Sequence, residues 1–157
     1  MSRHAPVVTG SALDLILGVL VAAPGQPHPL ALGWATVDLD RATAELASEL
    51  GIEAAAFLPA PDSVVLGARC RVAFGVLPGG VPLAILEPRT EGRLAAALAR
   101  HGEGPSVSWA RSPVKIGRGS SRVRRPGPFG PERVDAGAPT DGPFLLLIGD
   151  GPGTIHA

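Results

Sequence analysis

Residues 30–51, LALGWATVDLDRATAELASELG, decide how the rest of the chain is read. Leu30–Val37 is a short, mostly apolar run, the pattern of a buried strand. Asp38 or Asp40 then stands where a helix wants its N-cap, with a carboxylate to accept from the free amides of the first turn. The helix is expected over Arg41–Leu50. Leu39, Ala42, Leu46 and Leu50 fall on one face at spacings of three and four, and Gly51 supplies the C-terminal stop.

Downstream, Ala54–Leu58 reads as a short strand ended by Pro59-Ala-Pro61-Asp62. Ser63–Leu77 reads as a long strand or strand pair broken near Gly67, Pro78-Gly79-Gly80 as a hairpin turn, and Val81–Leu86 as the returning strand. Thr90 is expected to cap a second helix, Glu91–His101, followed by Gly102. Pro105–Ala110 begins another strand, and Phe144–Ile148 (FLLLI) is the last clear one. Residues 111–143 are rich in Gly, Pro and Arg and show only short extended pieces. Upstream, Leu13–Ala23 is apolar but interrupted by Asp14, and far short of the about 20 residues that cross a bilayer. Arg3 and Val21-Ala22-Ala23 only weakly imitate a secretory signal. The expectation is a buried helix capped by Ser11 and stopped by Pro24-Gly25.

The chain has 157 residues, 45% of them hydrophobic, enough for one packed domain. Basic and acidic side chains balance at 14 each, and aromatics are 4%. That argues against a nucleic-acid coat or an anionic-membrane binder. A single Cys excludes an internal disulfide and any site built on several thiolates. Cys70, between Arg69 and Arg71, is in phase with Val72 and Phe74 and is expected as a small core residue, the two guanidiniums pointing the other way.

Strand–helix–strand–strand–strand, then a linking helix into a new strand, resembles the half-module of the vicinal oxygen chelate superfamily, which includes glyoxalase, bleomycin-resistance and methylmalonyl-CoA epimerase-type proteins. Gly33–Asp40 (GWATVDLD) is similar to the family's opening strand and helix start. Leu86-Glu87-Pro88, with Leu94–Gly104, is similar to the stretch leading into the second half. The resemblance implies an α+β fold of βαβββ half-modules forming a cup-shaped sheet in one domain, 1–157. Its parts would be an N-terminal helix at 11–23, a first module at 30–88, a linking helix at 90–102 and a degenerate second module at 106–148. No amphipathic run follows Trp109, so the second module has lost its helix, and residues 11–23 are expected to cover the sheet face left bare.

Members of this superfamily that hold a metal draw a His from the first strand and a carboxylate or amide from the last strand of each half. In this chain those registers fall on Ala31, on Ala84, on Val107 (or Ser106 or Ser108) and near Leu146, none of which can serve. His4, His28, His101 and His156 are scattered, so neither metal nor other cofactor is expected. Glu87 is out of phase with Ala84 and should point to the opposite face.

The implied ligand site is the sheet face carrying Ala31, Gly33, Ala84 and Leu86, with Ser106, Ser108 and Trp109 from the second half. Trp34 and Trp109 read as cavity wall or core. Arg124 and Arg125, in the basic run with Arg118 and Arg122, read either as a clamp for phosphate or carboxylate or as a solvated loop. Gly149–Thr154 has phosphate-loop glycines without the Lys and reads as a flexible tail. No catalytic residue is assigned. The expected function is metal-independent binding of a small, largely apolar metabolite; the alternative is a metal-independent isomerase, cyclase or lyase on a carbonyl, CoA-linked or polyketide-like substrate. The expected partner is a small molecule, with no nucleic acid or membrane, in a cytoplasmic protein for which a homodimer stays open.

Overall fold

In a computed structural model of the chain, which describes residues 11–20, 29–111, 123–135 and 142–149, the switch from strand to helix falls at Asp38. The elements run α1 (Ala12–Leu20), β1 (Ala31–Ala35), α2 (Leu39–Leu50), β2 (Leu58–Ser63), β3 (Ala68–Ala73), β4 (Leu83–Pro88), α3 (Arg93–His101), β5 (Gly104–Arg111), β6 (Glu132–Val134) and β7 (Phe144–Ile148). Asp38 caps α2 by accepting from the amide of Arg41 at 3.0 Å. Gly51 ends the helix in the left-handed region, φ 67°, where a Cβ would be strained.

All seven strands form one curled sheet in the order β2-β3-β4-β1-β5-β7-β6. β1 pairs in parallel with β4, which pairs antiparallel with β3; β5, β7 and β6 repeat that arrangement, and β1 and β5 join the halves antiparallel. Beyond β6, among the described residues, the place of a fourth strand in the second half is taken by a bridge, Arg125 to Glu132. The fold is thus α+β, as expected.

Each face has its own core. The outer one gathers Leu32, Ala73, Leu83 and Ile85 beneath α2 and α1. The inner one gathers the alternate residues, among them Ala31, Ala84 and Val107, with Leu94, Ala97 and Leu98 of α3. Strand parity also puts Arg69 and Arg71 on the outer side, where they pair with Glu87 and Asp40, while Cys70 is buried inside. Glu87 lies on that outer side too and accepts from the Leu39 amide at 2.6 Å.

Several boundaries differ from expectation. Ala54–Ala56 is a 3-10 turn, and the strand starts after it and runs through Pro59 and Pro61. β2 is an edge strand, where a residue without an N–H costs no ladder bond. Thr90 does not cap α3, which begins after Gly92 with no side-chain cap. Residues 21–23, expected to continue the first helix, lie outside the described residues.

α1 is held at its start by two acceptors. Ser11 Oγ accepts from the Asp14 amide at 3.2 Å, and the Glu49 carboxylate of α2 accepts from the Leu13 amide at 2.8 Å. The helix lies against α2 and β5, with Ile16 fully buried in the outer core beside Leu32 and α2. Replacing Ile16 by Ala should therefore cost about 2–4 kcal/mol in urea denaturation, although α1 is only nine residues long. A loss within experimental error would show that α1 is not part of the core.

Candidate functional site

The register brings together most of the residues assigned to the inner face. Gly33 faces Ala84 on one side and Val107 on the other, and Ala31 faces Trp109. Ala31, Ala84, Leu86 and Trp109 nevertheless have no exposed surface. A Cβ on Gly33 would lie 2.7 Å from Leu86 Cδ1 and 2.9 Å from both Trp109 Cζ3 and Val107 Cβ. The small side chains do leave room, but the protein's own indole takes it. Phe129 stacks edge-on to Trp109 at 4.8 Å between ring centroids and reaches Phe74 at 6.4 Å. The open cavity expected over this face is filled.

Ser106 and Ser108 are corrected more simply. Ser108 pairs with Leu32 and shares the outer face, and the Ser106 hydroxyl donates to the Gly104 carbonyl at 3.2 Å. Of the two tryptophans, Trp109 is core on the inner side and Trp34 is half-buried against the outer cluster. The four metal-register positions, Ala31, Ala84, Val107 and Leu146, do converge on the inner face, and their side chains carry no nitrogen or oxygen donor. Among the described residues no three His, Cys, Asp or Glu side chains cluster to hold an ion.

The polar centre of this face is Glu132, which sequence reasoning missed. It has no exposed surface; Ser63 Oγ donates to its Oε2 at 2.8 Å and Trp109 Nε1 donates to its Oε1 at 3.1 Å. Ser63 ends β2 at one edge of the sheet and Glu132 begins β6 at the other, so this carboxyl joins the two edges across the inner face. The backbone does the same, the Val64 amide donating to the Pro126 carbonyl at 3.1 Å. Arg125 and Glu132 exchange both backbone bonds at 2.8 Å. Gly127 must be glycine here, since a Cβ would sit 1.7 Å from Glu132 Oε1.

Above this clasp an open groove of about 680 Å³ is lined by Val64, Val65, Arg93, Val123, Arg125, Arg133 and Val134. Of the two arginines expected to clamp a ligand, Arg125 lines this groove, whereas Arg124 is beside it in the chain and does not; Arg118 and Arg122, like residues 150–154 of the glycine-rich tail, lie outside the described residues. Arg93 comes from the first turn of α3. Arg125 apart, nothing local marked these residues. Glu132 is one of three acids in a Gly-, Pro- and Arg-rich stretch without strand periodicity, and the valines come from separate segments.

Burial pushes the Glu132 carboxyl up to about 7, opposed by the bonds from Trp109 and Ser63; burial also pushes the Cys70 thiol up to about 12, leaving it unreactive. Between the ordinary carboxyl range and pH 7 the folded chain keeps a proton that the unfolded chain has released. Stability contributed by Glu132 is therefore full below about pH 4.5, declines towards pH 7 by on the order of 3 kcal/mol in total, and is flat above. Glu132→Gln keeps an acceptor for Trp109 and a group to bond Ser63, without titrating. Denaturation across pH 4–8 should show the wild type losing stability relative to this variant as pH rises; parallel curves would mean that Glu132 does not titrate in that range.

No protein-family model matches the chain, and no curated protein matches it. Among solved structures it is similar to methylmalonyl-CoA epimerase from Mycobacterium tuberculosis, with 18% identity and a TM-score of 0.56 over 78% of this chain and 87% of that one. At that identity the likeness is one of fold: seven strands in a curled half-barrel sheet with its helices, as in the vicinal oxygen chelate proteins.

Proposed function

We propose that this protein binds a small molecule without a metal, and that the ligand sits in the rim groove rather than against the sheet. The observation that carries this is the filling of the inner face. Trp109 lies over Gly33 where a ligand or ion would stand, and the positions of metal donors hold Ala, Ala, Val and Leu. The groove, by contrast, has the size and the mixture of apolar and polar lining that small-molecule sites show.

The enzyme reading draws support from one feature, a carboxyl on the inner face that burial pushes up to about 7, which suits a general acid or base. Proton transfer needs contact with the substrate, however, and Glu132 is sealed between Ser63, Trp109 and Gly127. Binding is the better reading of a site whose one tuned acid is enclosed.

The test is a thermal-shift comparison on extensively dialysed protein. Zinc, nickel, manganese and cobalt should leave Tm unchanged, while members of a metabolite panel raise it, equally with and without chelator. A stabilising ligand whose effect disappears with chelator would overturn the metal-free reading, and a panel without any stabilising member would overturn small-molecule binding.

A further inference from the structure

We infer that the ligand of the rim groove is an aliphatic anion, its head held between the guanidiniums of Arg93 and Arg125 and its saturated chain laid on Val64, Val65 and Val134. This rests on the reading that a small molecule enters the groove, and adds its chemical class.

Among the described residues the lining has two kinds of surface. Its polar side chains there are three arginines, all donors, and its remaining side chains are four valines. With no side-chain acceptor among the described lining residues, a cation or a polyol finds no partner there for its donors. With no aromatic ring among them, a base or other flat ring finds nothing there to stack on. What fits is an acceptor-only head on an aliphatic body, because a guanidinium fork meets carboxylate or phosphate oxygens two at a time.

The arginines themselves point the same way. Arg41, Arg69, Arg71 and Arg89 each have a carboxylate partner. Arg93 and Arg125 make no ion pair among the described residues, although they converge on one groove with Arg133 and no acid lines it. Arg93 also stands at the first position of α3, where the helix dipole disfavours a cation and favours an anion. An anion in the groove would relieve both costs. The valines carry the complementary anomaly: Val64 is 48% and Val123 72% exposed, beside guanidiniums rather than scattered singly over the surface.

Octanoate and octyl phosphate are suitable probes, with octanol and octylamine as controls of the same chain length. Calorimetry should show that at least one anion binds and that neither control does. Arg93→Ala and Arg125→Ala should each weaken the anion about tenfold, as expected for a lost charge-assisted bond. Raising salt should weaken it further. Arg93→Lys keeps charge without the fork and should fall between. Octanoate binding without octyl phosphate, or the reverse, identifies the head group. Val64→Asp adds a repelling carboxylate and should abolish binding. Each variant is checked for an unchanged Tm; Arg93 is exposed, so its loss leaves the fold intact.

Octanol binding as tightly as the anions would overturn the anionic class while leaving small-molecule binding intact. Anion binding unchanged in both arginine variants would overturn the placement in the groove. If neither anion binds but the metabolite panel contains another stabilising ligand, the class is wrong and the general reading stands. If nothing in the panel stabilises the protein, both fail.

Discussion

A carboxyl group out of reach of water must find its hydrogen bonds in the protein, and Glu132, on one edge of the sheet, finds them on the opposite edge and on an interior strand. Ser63 comes from the edge strand of the first half, Trp109 from the strand of the second half that joins the first, and Glu132 itself from the far edge. Meeting these bonds requires the sheet to curl until its edges meet. The curl brings Phe129 over Trp109, and it brings the turn after Ser63 beside the segment of Arg125 and so assembles the groove. Gly127 is the concession that lets the chain pass so close to the acid.

The same constraint fills the inner face, in keeping with the proposed metal-free function. A cup needs donors around an open centre; here the centre holds an indole, and the residues around it are small because the indole is large. Among the described residues the second half shows no counterpart of α2 and only a bridge beyond β6, with α1 packed against β5 and the segment of Phe129 packed on the inner side. The groove proposed as the binding site lies at the rim, where side chains from α3, from the turn before β3 and from the last edge converge.

What could be read from the chain alone follows from how local the cause is. Asp38, Gly51 and the leucines between them act over a turn or two of backbone, and α2 is where their spacing puts it. Parity within β1 and within β4 is equally local; that Ala31 and Gly33 share a face with Ala84 and Leu86, with Glu87 turned the other way, is what the resemblance implies rather than something either strand carries alone. That the face would be filled was not legible, because the filling groups come from Trp109 and Phe129 and depend on how the halves meet. Glu132 was invisible for the same reason: its partners are distant in sequence, and between Pro131 and Arg133 it looks like any solvated acid. The strand through Pro59 and Pro61 was misread because an edge position, which makes proline harmless, is a property of the assembled sheet.

The bond between Ser63 and Glu132 spans 69 positions of chain, and this distance has a kinetic meaning. Closing so long a loop early would forfeit chain entropy before neighbouring contacts could compensate. The hairpin of β3 with its neighbours, and the packing of α2 on its own strand, are far more local. A clasp closed after them would lie on the native side of the folding barrier. Weakening it would then leave the rate of folding nearly unchanged and act on the rate of opening, so that one protonatable side chain would bear on the lifetime of the closed half-barrel and of the groove.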